Sequence, residues 1–250
     1  TDASWESKLV GGRRELEPDA ELPLAARDAL VELLLCDLVS SSPRAADGVV
    51  AHAVRLLADA PSAYPGGAAA SVDLDVARAR DALVMAGLLD DLDPTDAVPH
   101  GGAAVRAARA AQPWASSAAA RLAAYAGALS GAPRGSDLAT RLAQARHLFA
   151  RQLFFEVHEV LEPAWQCAAG AERRHLQGVI QAAVAWHHGA RGNASGAQRL
   201  AMAAQVKLAD APDAWMGFPL RELRASLGHF IARLAAGASA DPPILAWAAR

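Results

Sequence analysis

The chain has 250 residues, with 24 Lys and Arg against 27 Asp and Glu, a net charge of −3 and a pI near 6.2. That length allows one large domain or two small ones, with a core that needs no disulfide or metal staple, and the charge is too acidic for a general nucleic-acid binder, which needs a basic stripe. Hydrophobic residues reach 53% and aromatics only 5%, because roughly a quarter of the chain is alanine, the best helix former; β-branched residues are sparse, and an all-α protein is expected.

No stretch of about 18 apolar residues is free of charges and breakers, so no transmembrane helix is expected. Asp2, Glu6 and Lys8 surround Trp5 with no apolar h-region beside them, which reads as no signal peptide. Cys36 and Cys167 lie far apart and fit neither a disulfide framework nor a zinc ribbon. A cytoplasmic protein follows from these features.

In the N-terminal half, Leu24–Val39 is apolar at helical spacing and stops at Ser40–Ser42 and Pro43. A second helix is predicted from about Arg44 to Ala58, then a loop over Pro61–Ala70. A third helix spans Val72–Leu89, with Asp73 near its start and Gly87 near its end. Asp90–Gly102 reads as a loop, and two further helices flank Pro113. His52 and His100 are isolated and suggest no site. The glycine- and serine-rich segment Gly127–Asp137 is the best linker candidate. Residues 1–135 hold 12 Lys and Arg against 18 Asp and Glu, and residues 136–250 hold 12 against 9. An acidic helical region, 1–133, therefore precedes a mildly basic helical bundle, 134–250.

The bundle reads as helices over Leu138–Phe149, Leu153–Leu161, Ala171–Ala190, Ser195–Leu208 and Leu220–Ala235. A turn at Gly192–Asn193 and a loop at Pro212–Pro219 separate the later ones. Such short connections imply antiparallel helix pairs.

One segment concentrates chemistry. Phe154 to Glu162 reads FFEVHEVLE and holds three of the nine acidic residues of the C-terminal part. At about 100° per residue, Phe154, His158, Leu161, Glu162 and Trp165 share one face, with Phe155 and Glu159 at its edge, while Glu156 and Val160 point away. On the next helix, Arg174, Gln177, Gln181 and His188 form a polar stripe that would face His158 and Glu162. Gly178 and Ala185 beside it would allow close backbone approach, and Leu176, Ile180 and Ala183 form the adjoining apolar face.

Phe155, His158, Glu159, Glu162 and Trp165, then Arg173, Gln177, Gly178 and Gln181, then His188, Gly192, Asn193, Gly196 and Arg199 resemble the signature of the domain of unknown function 309 family. These are small helical proteins of bacteria and archaea. The resemblance spans about Leu138 to Leu208, implies a helical fold and brings no activity with it. Gln152 stands at a turn position where such sequences usually carry Gly, and Pro163 removes a helix hydrogen bond ahead of Trp165.

Four readings of the segment stay open. His158 and Glu162 at i, i+4, completed by His188 or His187, would ligate a divalent transition metal such as zinc, iron or manganese, with Glu159 as a further ligand or a base. Glu159 and Glu162 would instead serve as a coupled catalytic acid–base pair without a metal. A recognition module would bind a small ligand or a protein partner through Trp165, Arg174, Gln177, Gln181 and Arg199. A satisfied polar network would only fix helix register. Neither nucleic acid nor membrane is an expected partner, and the alanine-rich half has the composition for a homo-oligomeric helix interface.

Overall fold

A computed structural model of the protein describes residues 23–39, 50, 51, 53, 54, 74–85, 115–245 and 247. The described part is all-helical, in the order α1 Leu24–Val39, α2 Leu74–Met85, α3 Ala115–Leu129, α4 Leu138–Ala150, α5 Phe154–Cys167, α6 Gly170–Ala190, α7 Ala194–Leu208 and α8 Leu220–Ala235. Val50, Ala51, Ala53 and Val54 are also helical. The loops expected over Pro61–Ala70 and Asp90–Gly102, the helix expected just before Pro113, and His52 and His100 lie outside the described residues.

Local sequence sets the helix ends. Asp137 caps α4, accepting from the Thr140 amide at 3.0 Å and from its hydroxyl at 2.6 Å. Asn193 caps α7 by accepting from the Gly196 amide at 2.9 Å. Between α7 and α8, Trp215 and Phe218 exchange backbone hydrogen bonds of 2.9 and 2.8 Å around Met216 and Gly217, both at positive φ. Helix α5 runs past its expected end at Leu161, straight through Pro163, to Cys167. A proline inside a helix disturbs the carbonyls of the preceding turn. Arg141 of α4 donates to the Val160 carbonyl there at 2.7 Å, and Trp165 stays on the buried face.

The core centres on Trp186 of α6, fully buried, with Phe149, Phe154 and Phe230 at 5.6, 5.8 and 6.5 Å between ring centroids. Phe218 and Trp247 extend this cluster. Two ring contacts set the α5–α6 register: Phe154 meets Trp186 at one end, and the Arg173 guanidinium lies 4.1 Å over Trp165 at the other. The helices are thus antiparallel, and Gln181 stands level with His158 and Gln177 with Glu162.

The N-terminal helices join the same hydrophobic cluster. Helix α1 is apolar on nearly all sides, the pattern of a helix surrounded by others. Its last carbonyls have no intrahelical partner. The turn before α4 supplies donors: Gly135 N to Leu38 O at 2.9 Å, Gln144 Nε2 to Leu38 O at 3.1 Å, and Arg134 to Asp37 O. The positive charge of Arg134 also opposes the negative end of the helix dipole.

Gly178 explains how closely α6 and α7 approach. A Cβ there would stand 2.6 Å from Leu208 Cγ, and Leu208 is fully buried. Glycine to alanine inside a helix ordinarily stabilises by about 1 kcal/mol; here overpacking outweighs that gain. Gly178→Ala is expected to destabilise by about 1–3 kcal/mol, measured by urea denaturation, and unchanged or raised stability would refute the packing. Gln152 sits at φ 57°, the left-handed region costly to a residue with a Cβ. Gln152→Gly is expected to raise stability by up to about 1 kcal/mol, the relief exceeding the entropy cost of glycine; thermal melting checks the sign.

Candidate functional site

The site forms where α5 meets α1, α3 and α6. His158 stands between two carboxylates of its own helix. Its Nδ1 lies 2.9 Å from Glu159 Oε1, and its Nε2 contacts Glu162 Oε2 one turn on. Gln166 Nε2 donates to the other Glu162 oxygen at 3.2 Å. The His158 and Glu162 side chains are largely buried, and Glu159 is 31% exposed.

The partial burial of His158 disfavours its charge, but hydrogen bonds to Glu159 and Glu162 and their negative charge outweigh that and lift its pKa to about 9. The hydrogen bond to His158 in turn holds the Glu162 carboxyl below its usual range, against the opposing effect of burial.

Behind this face lies a second, fully buried group. Glu156 has no exposed surface. Its Oε1 accepts from Arg121 Nε at 2.7 Å and from the Tyr125 hydroxyl at 2.6 Å, and Arg121 Nη2 lies 2.5 Å away. Burial, then the negative charge of Glu156, pushes the Tyr125 phenol well above its usual pKa. Arg27 of α1 stacks on Phe155, its guanidinium carbon 3.8 Å from the ring centroid. His187 of α6 packs near the same ring, 5.9 Å between centroids. Burial first, then the charges of Arg27, His188, Arg121 and His158, lower the His187 pKa to about 3, so this imidazole is neutral at physiological pH.

The structure brings together His158, Glu159 and Glu162 and sets Gln177 and Gln181 level with them. Other members of the expected stripe go elsewhere. Arg174 is exposed and ion-paired with Asp210 at 2.5 Å, between α7 and α8. His188 stands two helical turns beyond Gln181, with Nδ1 at 3.0 Å from Asn193 Nδ2. Burial, then the charge of Arg199, lowers its pKa. The trio His158, Glu162 and His188 is therefore not gathered; among the described residues no group of three or more His, Cys, Asp or Glu is arranged to hold a metal ion. Arg199 is exposed on α7. Trp165 is buried under Arg173, which donates to the Trp165 carbonyl at 2.7 Å. The close approach at Gly178 serves α7, not the motif helix.

Glu156 and Val160 lie off the His158 face, as the helical wheel has them, yet they are not exposed. Both are buried, because the N-terminal helices cover the face of α5 that α6 leaves open. The sequence reading missed Arg27, Arg121, Tyr125 and Glu156 as site residues and offered His187 only as an alternative to His188 in a metal shell. One signal was available: Arg121 is the only charged residue of α3, an alanine-rich helix, and Tyr125 lies one turn from it.

Residues 142–200 match the family model of the domain of unknown function DUF309. The DUF309 segment runs from α4 into α7 and contains His158, Glu159, Glu162 and Glu156, but not Arg27, Arg121 or Tyr125. The chain is also 30% identical over 105 residues to an uncharacterized protein of Aquifex aeolicus (strain VF5). That alignment covers 42% of this chain and 31% of the relative, so the chain spans about a third of the relative's length. No solved structure matches significantly.

Two predictions follow from the DUF309 segment and its cover. Glu156→Gln leaves Arg121 without its counter-charge and is expected to cost about 3–5 kcal/mol; replacing both by Met should recover most of that loss in equilibrium unfolding. The pH dependence is the second. His158, raised in the fold, contributes stability that is complete below its unfolded pKa of about 6.5 and is lost as pH rises through about 9. His187, depressed in the fold, takes up a proton more readily when unfolded, so stability is also lost as pH falls from about 6.5 toward 3. Stability should peak near neutral pH, the alkaline limb flattening in His158→Gln and the acid limb in His187→Phe, each followed by thermal melting against pH.

Proposed function

We propose that the protein is a binding module, whose recognition surface is the α5 face carrying His158, Glu159 and Glu162 together with the groups of α1, α3 and α6 around it. The observation that carries this reading is that both His158 ring nitrogens are engaged by carboxylates of the same helix. An imidazole held this way presents no lone pair to a metal ion and no free nitrogen to a substrate. What faces outward is a fixed pattern of charge, with Glu159 at its accessible edge. Fixed, pre-oriented charges suit recognition of a small ligand or a partner side chain. The chain carries two cysteines, and Cys167 is an exposed free thiol at the end of α5, which supports a reducing, cytoplasmic setting for the module. No helix among the described residues is long and apolar enough to cross a membrane.

The competing reading, a metal enzyme built on the same helix, needs His158 to leave its carboxylate clamp and turn a bare nitrogen to the ion. Elemental analysis of untagged protein purified without chelator separates the two. The expected result is no near-stoichiometric transition metal and no thermal stabilisation by added zinc, manganese or iron. A near-stoichiometric metal that is lost in His158→Ala would overturn the binding-module reading.

A further inference from the structure

Arg27 is the least satisfied cation of the cluster. Its side chain is 14% exposed, and Nε is buried with no hydrogen-bond partner among the described residues. The carboxylate nearest to Nε is that of adjacent Asp28, at 3.8 Å, beyond hydrogen-bond reach. What holds the guanidinium is the face of Phe155 at 3.8 Å. The ring contact holds the guanidinium in place and leaves Nε without an acceptor among the described residues, an arrangement that suits an arginine to an oxyanion. Taking a guanidinium this far out of water without an acceptor is unfavourable, and cation–π attraction offsets only part of it. An acceptor supplied from outside the chain would complete the balance.

The surrounding charges narrow what that acceptor belongs to. Arg121 is neutralised by Glu156. His158 lies between Glu159 and Glu162. Asp28 and Glu159 both act electrostatically on Arg27 and on one another. Arg27, Arg121 and His158 thus stand against Asp28, Glu156, Glu159 and Glu162, leaving one carboxylate in excess. A phosphate dianion or another polyanion would be repelled there. A molecule with a carboxylate at one end and an ammonium at the other would meet both needs, since Glu159 is 31% exposed and engages His158 through Oε1 only.

We propose that Arg27, stacked on Phe155, anchors the carboxylate of a small zwitterion of the amino-acid class, whose ammonium group is taken by Glu159. The Phe155 ring, with His187 packed near it, forms the apolar platform beside the two charges. This assignment rests on the binding-module reading and adds the ligand class to it.

Isothermal titration at low salt with glycine, β-alanine and 4-aminobutyrate tests it, with acetate and inorganic phosphate as probes carrying only the negative charge. At least one of the three amino acids is expected to bind, more tightly than acetate or phosphate. Arg27→Met, which keeps the apolar stem, and Arg27→Lys, which keeps the charge but not the fork, should each weaken binding by about tenfold or more. Glu159→Gln should weaken the amino acids but not acetate, since it removes the partner of the ammonium and one of the charges that repel an anion. Circular dichroism of each variant shows that its fold survives, and the two Arg27 variants guard against failure of either one. No binding of any amino acid, binding unchanged in both Arg27 variants, or phosphate or acetate binding as well as the amino acids would each overturn the proposal. If the amino acids fail while the protein also lacks a stoichiometric metal, the ligand class is wrong and the binding-module reading stands; if a metal is found, that reading falls with it.

Discussion

A carboxylate with no contact to water must find its donors inside the protein, and Glu156 draws them from a different part of the chain. Arg121 and Tyr125 reach it from α3, across more than thirty residues of sequence. A buried ion pair adds little net stability compared with apolar groups of the same shape. Its effect is on arrangement: any slip of α3 along α5 would strand a charge on each side. The contact therefore sets where the N-terminal helices sit on the DUF309 segment. That setting in turn brings Arg27 of α1 over Phe155, whose other neighbour, His187, comes from α6 within the segment itself.

The two histidines of the cluster show how the same field acts in opposite directions. His158 and His187 are both largely buried, and burial disfavours the charged form of each. His158 has carboxylates within bonding distance and is held as a cation. His187 has cations and an aromatic ring around it and is held neutral. Two imidazoles near one phenylalanine thus settle into fixed and different charge states. A group tuned to exchange protons near neutral pH would differ from both, and that difference supports the proposed recognition surface over acid–base machinery.

The helices were legible because their signals are local. Helices α1 and α8 begin and end where periodicity and breakers place them, at Leu24–Val39 and Leu220–Ala235. The i, i+4 pairing of His158 with Glu162 was legible for the same reason, since one helix determines it. What could not be read was which surfaces meet. A single helical wheel gave α5 one aromatic face and set Glu156 off it, but could not show that α5 is covered from two sides. Of the expected stripe on α6, the middle, Gln177 and Gln181, stands level with the motif. Its ends were out of reach for a geometric reason. Arg174 and His188 are fourteen residues apart on α6, about 21 Å along the helix axis, whereas His158 and Glu162 occupy one turn. Each end takes a nearer partner, Asp210 and Asn193.

Pro163 is a case where a local rule was right and its consequence was not. The lost backbone hydrogen bond is real, yet the helix continues to Cys167, because tertiary contacts hold both sides of the break. Arg141 donates to the Val160 carbonyl on one side, and Arg173 covers the Trp165 ring and donates to its carbonyl on the other. The same logic runs through Gln144 and Arg134 at the end of α1 and Arg224 at the end of α7, where side-chain donors meet terminal carbonyls. Lysine is nearly absent from the chain, so cationic contacts to exposed carbonyls fall to arginine, whose planar fork reaches several oxygens at once. Against that background Arg27 stands out by chemistry. Among the described residues its guanidinium meets neither a carbonyl nor a carboxylate within hydrogen-bond reach, and it lies over an aromatic ring beside the carboxylate-clamped His158.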